Sequence, residues 1–144
     1  MSKKGFSLIE MVVVLSIMSI ISVSGFSIYR VWQKRSNLEL ARATVVQSLS
    51  EAKQRAIFGS NDSNWGVKYD GASNLIVFSG TAYSARTISF DRIFSVPPGI
   101  SLTGLDEIIF NKFSGLPLTT PVINTVYEGE SLPISVSAQG VFGN

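Results

Sequence analysis

Hydrophobic and polar positions change character along this chain of 144 residues. From residue 6 to residue 29 nearly every position is apolar or small, and Glu10 is the one charge. At 1.5 Å per residue such a run makes about 36 Å of helix, enough for a bilayer core of about 30 Å. From residue 30 to residue 58 neither Pro nor Gly interrupts the chain. There Leu38, Ala41, Val45, Leu49, Ala52 and Ala56 recur at three- and four-residue steps, one face of an amphipathic helix. Glu39, Arg42, Gln47, Glu51 and Arg55 fall mostly off that stripe. The pattern predicts one helix from about residue 6 to residue 58, ended by Gly59. Beyond the loop Asn61-Asp62-Ser63-Asn64 the period shortens to that of strands. Strand-like runs lie at 65–69, 75–78, 87–90, 100–102, 108–113, 122–127, 134–136 and 141–142. Asp70-Gly71-Ala72-Ser73-Asn74 reads as the turn of a hairpin. One long helix followed by many short strands predicts an α+β fold, with antiparallel sheet on the helix stripe.

Composition narrows the chemistry. The chain has no cysteine and no histidine, which removes disulfides, thiol chemistry and the commonest zinc ligands. Lys3 and Lys4 account for the whole of the +2 net charge, so the basic balance belongs to the leader and is poor evidence for a nucleic-acid partner. An enzyme would have to work with carboxylates, Lys, Ser or Tyr. Asp91-Arg92 reads as a local ion pair at a strand end, and Asp106-Glu107 as the solvated opening of an edge strand. Asn61, Asp62, Ser63 and Asn64 with Asp70 offer oxygens for calcium but lack the ligand spacing of an EF-hand loop. No glycine loop for phosphate is present. No cofactor, metal site or catalytic group is expected.

The N-terminus carries the sharpest signal. A carboxylate inside a membrane-length apolar helix costs roughly 2.5–3.5 kcal/mol on insertion scales, so Glu10 is a functional candidate by default. The apolar run is too long for an ordinary secretory signal, and the small residues Ser22-Val23-Ser24 lie inside it. Lys3-Lys4-Gly5-Phe6-Ser7-Leu8-Ile9-Glu10 resembles the precursor motif of type IV pilins and type II secretion pseudopilins. The resemblance implies cleavage after Gly5 by a prepilin peptidase, N-methylation of Phe6, and Lys3 and Lys4 as the basic leader. It implies that Glu10 meets the α-amine of a neighbouring subunit as the helices enter a filament. Such a pair selects register more clearly than it adds stability, because desolvation offsets most of the Coulomb attraction. Lys3 and Lys4 are nearly balanced by Arg30, Lys34 and Arg35 across the run. Orientation, with the C-terminal domain outside the cytoplasm, therefore rests on the cleavage motif.

Three further segments resemble the H-type (GspH/FimT-like) pseudopilin branch. They are Leu49-Ser50-Glu51-Ala52-Lys53-Gln54-Arg55-Ala56-Ile57, then Ile108-Ile109-Phe110 followed by Gly115, then Ile134-Ser135-Val136-Ser137-Ala138-Gln139-Gly140-Val141. The resemblance implies a pilin-like fold with four parts. These are a leader at 1–5, a transmembrane or filament-core helix at 6–29, its amphipathic continuation at 30–59, and a β-rich domain at 60–144. It implies a minor structural subunit of a pilus or pseudopilus, an inner-membrane protein that later joins an extracellular or periplasmic filament. Implied partners are the peptidase/methyltransferase, other pilin subunits, the assembly platform and membrane lipid. Two alternatives stay open: a DNA-uptake or surface-binding minor pilin, and a signal-anchored binding domain outside the cytoplasm. No Lys or Arg follows Lys112, while Glu128 and Glu130 do, which disfavours DNA binding at that end. Arg30, Lys34, Arg35, Arg42, Lys53 and Arg55 make the helix basic, as a surface facing lipid headgroups would be. Ser22, Ser24, Gly25 and Ser27, where many pilins have proline, mark a soft segment or a place for close helix packing.

Overall fold

The computed structural model describes residues 5–143, and the backbone alone of residues 23–28. Residues 1–35 and 36–144 form two compact units. Helix α1 spans Leu8–Ile57, close to the predicted limits. Eight strands follow: β1 Trp65–Tyr69, β2 Asn74–Ser79, β3 Arg92–Ser95, β4 Ser101–Thr103, β5 Glu107–Phe110, β6 Val122–Tyr127, β7 Glu130–Val136 and β8 Phe142–Gly143.

In the second unit the strands form two four-stranded antiparallel sheets, ordered β3-β2-β1-β5 and β4-β6-β7-β8. The α+β arrangement is as the sequence pattern predicts, with the sheet divided in two. Leu38, Ala41, Val45, Leu49, Ala52 and Ala56 are all buried. From Ala41 onward they join one core with Trp65, Val67, Leu75, Val77, Ile108 and Phe110 of the first sheet, and Leu102, Ile123, Ile134 and Val136 of the second. Ser48 is buried on the same stripe, its hydroxyl donating to the Val45 carbonyl at 2.8 Å, which removes the cost of an unmet polar group. Pro133 sits inside β7 opposite Asn124. Its missing N–H falls on the side away from β6 and beyond the short β8, so no ladder bond is lost.

The helix stops at Gly59, whose φ of 61° is left-handed and suits glycine. The Ala56 carbonyl accepts from Gly59 N–H at 3.0 Å and from Phe113 N–H at 2.8 Å. The Lys53 ammonium donates to the carbonyls of Gln139 (3.2 Å) and Gly140 (2.8 Å). Gly115 lies against the Ile57 side chain and Gly140 against the Gly115 carbonyl, with no room for a Cβ between Gly115 and Ile57. The three segments that carry the branch resemblance therefore meet at one junction.

Three expectations need correction. Residues 87–90 are not a strand: Ile88–Phe90 form a 3-10 turn, and the strand is β3 just beyond it. Thr87 N–H is drawn to the Ser79 carbonyl at 3.0 Å, which folds residues 80–90 back toward the end of β2. Within that fold Tyr83 packs edge-on against Phe78 (5.5 Å) and Arg86 lies over the Tyr83 ring (3.8 Å). Asp91 and Arg92 do not pair with each other. Asp91 holds Arg86 at 2.8 Å, while Arg92 reaches Glu51 on the helix at 3.1 Å. Alternation sends these two neighbours to opposite faces of the sheet. The run predicted at 108–113 also ends early, at Phe110, because Phe113 adopts a left-handed conformation with φ 64°.

Candidate assembly site at the helix N-terminus

Ser7 precedes the first residue of α1 and caps it. Its Oγ accepts the Glu10 N–H at 3.3 Å, and its carbonyl accepts the N–H groups of Glu10 (3.1 Å) and Met11 (3.3 Å). Ser7-Leu8-Ile9-Glu10 thus has the order of a capping box, of which the Ser-to-backbone half is formed. In the sequence Ser7 reads only as part of the precursor motif. The S-x-x-E spacing before an apolar run was the signal for its second role. Glu10 stands in the first turn, where the helix dipole favours a carboxylate. It is exposed, and among the described residues its carboxylate has no ion-pair or hydrogen-bond partner. Gly5 has open space around it, and Phe6 is 75 % exposed.

Beyond the cap the surface is greasy on every side. Leu8, Ile9, Met11, Val12, Val13, Val14, Leu15, Ile17, Met18, Ile20 and Ile21 are all exposed. Fully burying a side chain of this size is worth about 1.5–3 kcal/mol, so this surface strongly favours an apolar partner. The serines between them turn inward. Ser16, Ser19 and Ser22 each donate to the carbonyl four residues back, to Val12, Leu15 and Met18, at 2.8 Å. Their hydroxyl protons are satisfied within the helix, which lowers the cost of placing them in an apolar medium.

Among the described residues no helix is long and apolar enough to cross a membrane. The described side chains from Leu8 to Ser22 cover about 22 Å of helix, short of the bilayer core. The remainder of the 6–29 run includes residues 23–28, whose side chains lie outside the described residues. The soft segment expected near Gly25 lies there too, although the backbone through it is helical. Lys3 and Lys4 also lie outside the described residues.

The other candidates fall in structural roles. Asp70 closes the β1–β2 hairpin. Its carboxylate accepts the N–H groups of Ala72, Ser73 and Asn74 and the Asn74 side-chain amide. These bonds, the Asn74 N–H foremost, pull its pKa from 3.8 down to about 2. Asp62 pairs with Lys112, and the Asn64 side-chain oxygen accepts the Lys112 N–H at 2.9 Å. The oxygens suggested for calcium are thus spent separately, and among the described residues no acidic cluster is placed to hold a metal. Asp106 pairs with Lys68 at 3.3 Å, and Glu107 opens β5 and accepts the Tyr83 N–H at 2.8 Å. Of the basic helix residues, Arg55 pairs with Glu51 (2.8 Å) and lies over the Trp65 ring (4.7 Å). A cleft of about 460 Å³ on this part of the helix is lined by Gln47, Ser50, Glu51, Gln54, Arg55, Phe58 and Ser60. Its one carboxylate, Glu51, is already held by Arg55 and Arg92.

Fold and helix start together define an α+β, pilin-like protein with an exposed apolar N-terminal helix. Residues 1–26 match the prokaryotic N-terminal methylation motif, which supports a protein of the type IV pilin and pseudopilin kind. No curated protein and no solved structure matches the chain.

Proposed function

We propose that this chain is a structural subunit, of the minor H-type branch, in a type IV pilus or type II secretion pseudopilus. In this reading a prepilin peptidase removes residues 1–5 and the exposed amine of Phe6 is methylated. The run 6–29 anchors the subunit in the cytoplasmic membrane, with the β-rich domain outside the cytoplasm. An assembly platform then lifts it into a filament. The observation that carries the reading is the methylation motif joined to a helix whose described apolar side chains, from Leu8 to Ile21, are exposed. Glu10 supplies the register. Its carboxylate has no partner within the described subunit, so the ammonium of Phe6 on a neighbour satisfies it once water is excluded. Ser7 contributes by holding the first turn around Glu10.

Intact-mass measurement on the protein extracted from its native membrane tests this. The expected species begins at Phe6 and carries one added methyl. A chain that keeps Lys3, Lys4 and Gly5 overturns the proposal and leaves a signal-anchored domain.

A further inference from the structure

We propose that the outer edge of β3 pairs with the same edge of a second copy of this chain, antiparallel, with the two-fold axis at Phe94. The register fixes which backbone groups are available. Val96 N–H donates to the Ser73 carbonyl at 2.7 Å, and Leu75 stands opposite Phe94 and Val77 opposite Arg92. Hydrogen-bonded and non-hydrogen-bonded pairs alternate in an antiparallel ladder. Phe94 and Arg92 therefore bond to β2, while the N–H and C=O groups of Ile93 and Ser95 face outward.

That spacing is self-complementary. Turning a second β3 about Phe94 sets Ile93 of one copy opposite Ser95 of the other, twice, and each such pair exchanges two backbone bonds. The result is one continuous sheet of eight strands. Natural edges are defended by lysine, proline, bulges or covering loops. The outer edge of β5 is covered, with Leu118 N–H donating to the Ile109 carbonyl at 2.8 Å and Phe110 bridged to Pro117. The edge strands of the second sheet, β4 and β8, are only three and two residues long. β3 is longer, at four residues, and carries neither lysine nor proline. Its one charge, Arg92, is committed to Glu51, so two copies meet there without two bare like charges. Ile93 is 66 % exposed, and Ile88 and Phe90 of the preceding turn are exposed as well. A closed pair consumes the edge on both copies and does not propagate. It is therefore a different contact from the one assigned to the apolar helix, and it stands or falls separately.

The chain has no cysteine, which makes the test direct. Full-length I93C and S95C chains, differently tagged, are co-expressed in native membranes and mildly oxidised. Residues directly opposite in such a pair have Cα atoms about 5.5 Å apart, within disulfide reach, whereas Ile93 lies on a longer diagonal, about 7–8 Å, from its own counterpart. The mixed disulfide is expected to exceed either same-variant disulfide at least about fivefold. Adding Ile93→Lys to the S95C chain, at a position already exposed, should remove it. Equal cross-linking in all combinations, no cross-linking, or capture of a different protein each overturns the proposal.

Discussion

Gly66 lies in the middle of β1, between β2 and β5, and it is the position where one added carbon tests the packing of the first sheet most sharply. A Cβ there would sit 2.6 Å from the Phe78 ring and 2.8 Å from the Ile108 carbonyl oxygen. Neither neighbour can yield cheaply. Phe78 is fully buried beneath Tyr83, which is itself held by Arg86 and by the bond from its N–H to Glu107. The Ile108 carbonyl belongs to the ladder that pairs Gly66 with Ile109. Overpacking of this kind costs about 1–3 kcal/mol, and a backbone neighbour places it at the upper end. Gly→Ala recovers about 0.4–1 kcal/mol by restricting the unfolded chain. Gly66→Ala should therefore destabilise by about 2 kcal/mol, lowering Tm by about 8 °C at roughly 4 °C per kcal/mol. Scanning calorimetry of the detergent-solubilised full-length chain measures it. Phe78→Leu should be destabilising alone but should relieve the Gly66→Ala defect, with a coupling of about 1 kcal/mol in the double-mutant cycle. A Gly66→Ala transition within 2 °C of wild type, a limit set at about 0.5 kcal/mol on the same conversion, refutes the argument, as does strict additivity with Phe78→Leu.

Glu10→Ala should leave membrane insertion and removal of the leader intact but cut entry into filaments. Opposite charges 4 Å apart attract by about 4 kcal/mol at an effective dielectric of 20, and desolvation leaves about 1–2 kcal/mol, or about 5- to 30-fold. The ratio of mutant to wild-type subunit in sheared filaments from co-expressing cells measures it, and equal incorporation speaks against the charge pair. Asp70→Asn should lower Tm at neutral pH, with the deficit shrinking on acidification. The folded pKa of about 2 lies below the ordinary 3.8, so the carboxylate's contribution is complete above about pH 5 and is lost as pH falls through 2. The full shift would correspond to about 2.4 kcal/mol. Asp70 is exposed, so solvent screening brings the expected effect to about 1 kcal/mol or less. A deficit that does not change between pH 7 and pH 2 would place the effect elsewhere in the turn.

The helix stripe was legible because burial selects one face over many turns, and every stripe residue named from the sequence is buried. The hairpin around Asp70 and the strand at 122–127 were legible for the same local reasons: turn residues bounded by β-branched and aromatic runs. Thr87-Ile88-Ser89-Phe90 misled because alternation in a short run does not reveal that a distant carbonyl, that of Ser79, claims its first N–H. Arg92-Ile93-Phe94-Ser95 was passed over because Asp91-Arg92 read as a charged end, and the partner of Arg92 lies on the helix far back in sequence. Division into two sheets depends on which strands pair across the chain, which local pattern does not encode. The α+β, pilin-like fold is the one the sequence pattern predicts. The proposed roles of Gly5, Phe6 and Glu10 concern contacts with other molecules, and they are matters for the experiments above.

The clasp between Lys53 and Gly140 joins residues 87 positions apart. Its acceptors lie beyond every strand but β8. A contact of such long sequence separation closes late, because the intervening loop must be ordered first. The rear of the long helix therefore keeps its ammonium in water until β7 is in place, and a chain cut before residue 139 leaves that ammonium without these two carbonyls.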